Sequence, residues 1–97
     1  MIQTFADKRT EQVFSDMSPT SLPVGVIRKA RFLLAQLDAA ETLDDMRVPP
    51  GNKLHALVGK RKGQHAVWIN SQWRLVFRFR DAIATEVAIT DYHDDKK

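Results

Sequence analysis

His55, inside the run PPGNKLHALVG at 49–59, and His93, closing TDYH at 90–93, are the side chains best suited to moving protons near neutral pH. A single histidine is more often structural or merely exposed, so neither carries much meaning alone. Together with an arginine they match a demanding reaction. RNA is cut without a metal when a base removes the 2′-hydroxyl proton, an acid protonates the leaving 5′-oxygen and a cation stabilises the crowded phosphorus. Arg74 is the candidate cation, because a strand arginine offers a planar fork to two phosphate oxygens. Its bland alternative is a surface ion pair. Asp91 can hold an imidazole in the useful tautomer, and Tyr92 can donate a proton or stack on a base. Alternatively, this segment is a strand end that pins itself with a tyrosine.

The surroundings suit a polyanion. Residues 46–80 contain no Asp or Glu but eight Lys or Arg and two of the three histidines. With 15 basic and 12 acidic residues in all, the rest of the chain keeps seven basic groups against all 12 acids. Charge segregated in this way predicts a positive face on an acidic body, which steers phosphate-bearing partners; a solvated basic loop is the alternative. Lys53 and the run Lys60, Arg61 and Lys62 are the expected guides for a nucleic-acid strand, with Arg78 and Arg80 either on backbone phosphates or solvated. Trp68 is a candidate base-stacking platform, whereas strand phase assigns Trp73 to the core.

Elements must position these groups. Ile2 to Phe5 alternates weakly as a short first strand, and Asp7 suits the cap of a helix running to about Ser15, anchored by Val13 and Phe14. Ser21 as a cap and Pro23 in a first turn introduce a second helix, whose stripe Ile27, Ala30, Leu33, Leu34 and Leu37 needs a sheet to cover. Thr42-Leu43-Asp44-Asp45 suggests a short turn, ended by Pro49-Pro50-Gly51-Asn52. The second half reads as β: His65 to Ile69, a turn at Ser71-Gln72, Trp73 to Arg80, a turn at Asp81-Ala82 and a last strand of roughly Thr85 to Tyr92. In the middle strand Trp73, Leu75, Phe77 and Phe79 alternate with Arg74, Val76, Arg78 and Arg80, one buried face and one wet face with the three arginines together. The expectation is an α+β domain over residues 1–93, an N-terminal strand and two helices on a mainly antiparallel sheet, with 94–97 as a polar tail.

Several classes are excluded. At 97 residues the chain has room for one modest core. Cysteine is absent, which removes disulfides and thiolate metal sites and fits a reducing cytosol. No Gly-rich phosphate loop, nucleophile elbow or His/Asp/Glu metal spacing occurs, arguing against ATP use, serine hydrolysis and a structural metal. No apolar window is long enough to span a membrane, and the N-terminus lacks the order of a secretory signal. The expected location is cytoplasmic, without a cofactor.

The run PPGNKLHALVGKRKGQHAVWINSQWRLVFRF followed by DYH resembles the HigB-type killer toxins of the RelE/ParE superfamily, and the likeness extends more weakly through the helical first half. The resemblance implies a small RelE-like toxin of a type II toxin–antitoxin module, one that cleaves messenger RNA in the ribosomal A site without a metal. Residue by residue, His55 matches the histidine of the family's KLH motif, Arg74 the arginine of its WR pair, and Asp91, Tyr92 and His93 its terminal DYH. The implied partners are a helix-turn-helix antitoxin of the HigA type and the ribosome with its message, with operator DNA met only through the antitoxin complex. A relative can carry lysine where this chain has Val58, so Lys53, Lys60 or Arg74 would substitute for it here. The same superfamily includes DNA gyrase poisons that lack the catalytic set, and His55 with DYH is the feature that separates the two readings.

Overall fold

The structure, a computed structural model, describes residues 1–92. Two helices, α1 (Lys8–Phe14) and α2 (Val24–Ala39), precede four strands: β1 (His55–Ala56), β2 (His65–Trp68), β3 (Trp73–Arg80) and β4 (Ile83–Asp91). The strands form one antiparallel sheet in the order β1-β2-β3-β4. The α+β expectation is met, with a local difference at the start. Residues 2–5 make only isolated parallel bridges to β4, Ile2 to Ala84 and Phe5 to Val87, not a full ladder. The Asp7 carboxylate accepts the Thr10 amide at 2.8 Å and caps α1 as its position suggests.

Helix α2 begins later than a Ser21 cap would place it. Pro23 is the flanking residue, extended at φ −61° and ψ 146°, and its carbonyl accepts the Ile27 amide at 3.0 Å. No side chain caps this end. The stripe Ile27, Ala30, Leu33, Leu34 and Leu37 is buried and meets Val67, Leu75, Phe77, Val87 and Ile89 from one face of the sheet. Each such leucine contributes about 2 kcal/mol by leaving water, so this helix–sheet contact dominates the core. Val13 joins it, but Phe14 stays partly exposed and packs on Phe5 with ring centroids 5.6 Å apart.

A β-bulge adjusts the last strand. Val76 pairs with Ala88 but Arg78 with Thr85, so Glu86 and Val87 together oppose Phe77. The extra residue resets the alternation, and Ala84, Val87 and Ile89 all reach the core. Simple alternation predicts a wet second face for β3, but the first half of that face is buried. Arg74 is 7% exposed and Val76 1%, and Ala66 and Ala88 beside them are buried too.

Candidate functional site

That second face carries the candidate site, and β1 is the element that completes it. The pairing of His55 with Ala66 joins β1 to β2, while Trp68, Arg74 and Thr90 stand in register across β2, β3 and β4. Residues directly opposite in an antiparallel ladder share a face, so His55, Trp68 and Arg74 project to the same side.

The loop before β1 is held from inside the protein. Asn52 is fully buried, and its Nδ2 donates to the carbonyls of Met46 at 3.0 Å and Val48 at 3.2 Å and to Gln36 Oε1 at 3.3 Å. Gln36, on α2, in turn donates Nε2 to the carbonyls of Asp45 and Val48. Thr42 and Asp45 cap each other at the start of the 3₁₀ turn Leu43–Arg47, and hydrogen bonds from the Thr42 and Glu41 amides hold the Asp45 carboxyl below its ordinary pKa. This braced segment delivers Lys53 in a left-handed conformation, φ 50° and ψ 48°.

The Lys53 carbonyl then lies 2.8 Å from His55 Nδ1. A carbonyl oxygen only accepts, so Nδ1 carries the hydrogen and the neutral ring presents its lone pair at Nε2. Arg74 Nη1 stands 3.3 Å from that Nε2 and, having no lone pair to offer, is the donor. The Arg74 guanidinium also lies over the Tyr92 ring, 4.6 Å from its centroid. His55, Arg74 and Tyr92 therefore form one contiguous cluster. On its flank, Lys53 Nζ covers the Trp68 ring at 3.9 Å.

Tyr92 is placed by the β2–β3 turn. Asn70 Oδ1 accepts the Gln72 and Trp73 amides at 2.8 Å each, a side-chain-closed turn. The Gln72 carbonyl accepts the Tyr92 amide, and Gln72 Nε2 donates to Asp91 Oδ2 at 3.1 Å. Asp91 pairs opposite Trp73, which turns it to the helix side of the sheet. His93 lies outside the described residues. The supporting roles of Asn70, Gln72, Gln36 and Asn52 are not apparent in the sequence; only the Asn-Ser-Gln before a strand carries a legible turn signal.

The basic residues divide. Lys53, Lys60 and Lys62 are exposed around the β1–β2 connection, and Arg61 donates to Gln64 Oε1 at 3.1 Å. Arg78 is bound by Glu86, and a Cβ on Gly63 would stand 2.5 Å from its Nη1, so the guanidinium is confined by backbone on its other side. Arg80 faces Asp81 at 3.6 Å on the open surface. His65 lies on the core side, stacked on Phe77 with centroids 6.5 Å apart, and burial first and His55 second push its pKa down.

The family described as the RelE-like toxin of the type II toxin–antitoxin system HigB matches residues 3–93. Toxin HigB-1 of Vibrio cholerae is 37% identical over 89 residues, covering 87% of this chain and 90% of that protein. Endoribonuclease HigB of Proteus vulgaris is 26% identical over 93 residues, covering 96% and 100%. Among solved structures, a mutant of YafQ from E. coli superposes with a TM-score of 0.68 at 14% identity, over 100% of this chain and 98% of that one. The YoeB–YefM complex from Staphylococcus aureus gives 0.61 at 17% identity, over 96% and 98%. At these identities, the two structures speak for the fold alone.

Proposed function

This chain belongs to the HigB-like family, the RelE-like toxins of type II toxin–antitoxin systems, and from that premise we propose that it is an mRNA endoribonuclease acting in the ribosomal A site. The observation that carries the reading is the ordered imidazole: Nδ1 on the Lys53 carbonyl, Nε2 turned to a cation. A relative named Endoribonuclease HigB supports the reaction class.

His55 Nε2 is the general base. As the RNA enters, Arg74 turns its fork from Nε2 to the non-bridging phosphate oxygens, and the 2′-hydroxyl takes its place at the lone pair. Nε2 accepts the 2′-hydroxyl proton, the 2′-oxygen bonds to phosphorus, and the bond to the 5′-oxygen breaks. His93 or Tyr92 supplies the proton that leaves on the 5′-oxygen. The products are a 2′,3′-cyclic phosphate and a 5′-hydroxyl, and no step calls for a metal. Arg74 stabilises the charge on the pentacoordinate phosphorus, where a preorganised donor is worth about 3–4 kcal/mol. Asp91 acts through Gln72, fixing the strand end that carries Tyr92. Lys53, Lys60, Arg61 and Lys62 guide the strand, while Arg80 and the Glu86-bound Arg78 contribute at most at the margin.

This cluster provides protons and charge but little that would hold a flexible strand in line for attack. Orientation supplies roughly 7–11 kcal/mol in the best intramolecular cases, and here the A site imposes it on the codon. The antitoxin, of the HigA type, is the other partner, and the toxin works in the cytoplasm. The test compares naked message with ribosome-programmed message. Purified chain should cut the first poorly and the second within the A-site codon, and His55→Ala should abolish the cut while folding and antitoxin binding persist. Equal cleavage of free RNA would point to a freestanding ribonuclease; no RNA cleavage, with topoisomerase inhibited instead, would favour a gyrase poison.

A further inference from the structure

The two tryptophans occupy opposite faces of the sheet. Trp73 packs against the hydrophobic core, whereas Trp68 lies outside that cluster, half-buried on the site face and directly opposite Arg74 in register. Its ring is covered by the Lys53 ammonium, 3.9 Å from the centroid, on an exposed side chain. The backbone beneath that ammonium is the braced, left-handed residue whose carbonyl orients His55. An aromatic plane thus lies one strand away from the proposed phosphate fork, covered by a side chain whose ammonium is separate from the backbone carbonyl that orients the histidine.

We propose that Trp68 is the stacking platform for the RNA base next to the scissile phosphate, with Lys53 as a displaceable cover that moves from the indole face to the phosphate backbone when the base arrives. This rests on the ribonuclease reading and adds the substrate subsite it lacks. Every base has a π-face, so the subsite selects a single-stranded nucleotide rather than a particular base. The exchange conserves charge in the site: the ammonium gives up a ring and gains a phosphate, while the ring gains a base.

The experiment uses ribosome-programmed message and the full-length chain, with folding checked by thermal melting. Trp68→Leu should lower kcat/KM roughly five- to hundredfold, the range that follows from loss of one stacked base, with Trp68→Phe in between. An abasic nucleotide on one side of the cut should impair the wild-type chain by a similar factor and remove the difference between it and Trp68→Leu. Cleavage by a folded Trp68→Leu chain at the wild-type rate would overturn the proposal, as would a defect that abasic sites on either side leave unchanged. If the wild-type chain cleaves nothing, the ribonuclease reading fails instead. Stacking is then read separately, as quenching of Trp68 fluorescence by a single-stranded oligoribonucleotide in a Trp73→Phe chain, where an unchanged signal would overturn it.

Discussion

Arg74 and Arg78 stand on the same face of one strand, four residues apart, and the sheet surrounds them with opposite chemistry. Around Arg74 are an imidazole nitrogen at 3.3 Å and the Tyr92 ring. Around Arg78 are the Glu86 carboxylate and the close backbone of Gly63. The difference arises on the neighbouring strand. The bulge at Glu86 and Val87 leaves Glu86 exposed at φ 53°, beside Arg78, whereas the regular pairing of Arg74 with Thr90 leads to Tyr92 at the strand's end. A polar face is therefore not one surface. Among the described residues, the cation at one end meets a proton acceptor and an aromatic ring, and the cation at the other end meets a carboxylate.

The two arginines should respond differently to the same substitution. Arg74→Lys keeps the charge but loses the planar fork, and should reduce ribosome-programmed cleavage on the order of a hundredfold, as removal of one transition-state donor does. Arg78→Lys should leave the rate within a small factor. Thermal melts of both variants separate this effect from loss of stability, which matters for a residue as buried as Arg74.

Glu86→Gln sharpens the contrast by releasing Arg78. Ribosome or RNA binding should then become more salt-dependent, with the slope of log K against log salt steeper by about one unit, the signature of one added phosphate contact. An unchanged slope would place the far end of β3 outside the interface altogether.

The far end should also tolerate changes that only alter stability. The Asp81-Ala82 turn has positive φ at both positions, 53° and 64°, as a two-residue hairpin requires. Ala82→Gly relieves the second and should stabilise the fold by up to about 1 kcal/mol, a rise of a few degrees in Tm, with cleavage unaffected.

The smallest expected effect concerns His65. Its pKa is lowered from the ordinary 6.5, so the unfolded chain binds a proton more readily than the folded one. Stability from this group is complete above 6.5 and declines as pH falls from there through the lower folded value. His65→Gln should flatten the fall of Tm as pH drops below 6.5, while an equally steep fall would assign the dependence elsewhere.

Hydrophobic periodicity made α2, β2, β3 and β4 legible, because each turns an apolar face to the core. A two-residue strand has no periodicity, so β1 was invisible although it carries His55. The acid-free stretch 46–80 was legible in sequence but is not acid-free in space: Arg47, Arg78 and Arg80 meet Asp44, Glu86 and Asp81 from outside it. Alternation correctly grouped Arg74, Arg78 and Arg80, yet only pairing with β4 decided what each would touch. The carbonyl that orients His55 belongs to the backbone of Lys53, and no residue type announces a carbonyl.

In the proposed mechanism His55, with its lone pair at Nε2, takes the 2′-hydroxyl proton. Single-turnover cleavage of ribosome-programmed message by the wild-type chain, His55→Ala and His55→Gln is the sharpest test of that step, with thermal melting and antitoxin binding as controls. The wild-type chain should cut within the A-site codon, and both variants should fold, bind antitoxin and leave no cut above background. A folded His55→Ala chain that cleaves at the wild-type rate would overturn this role.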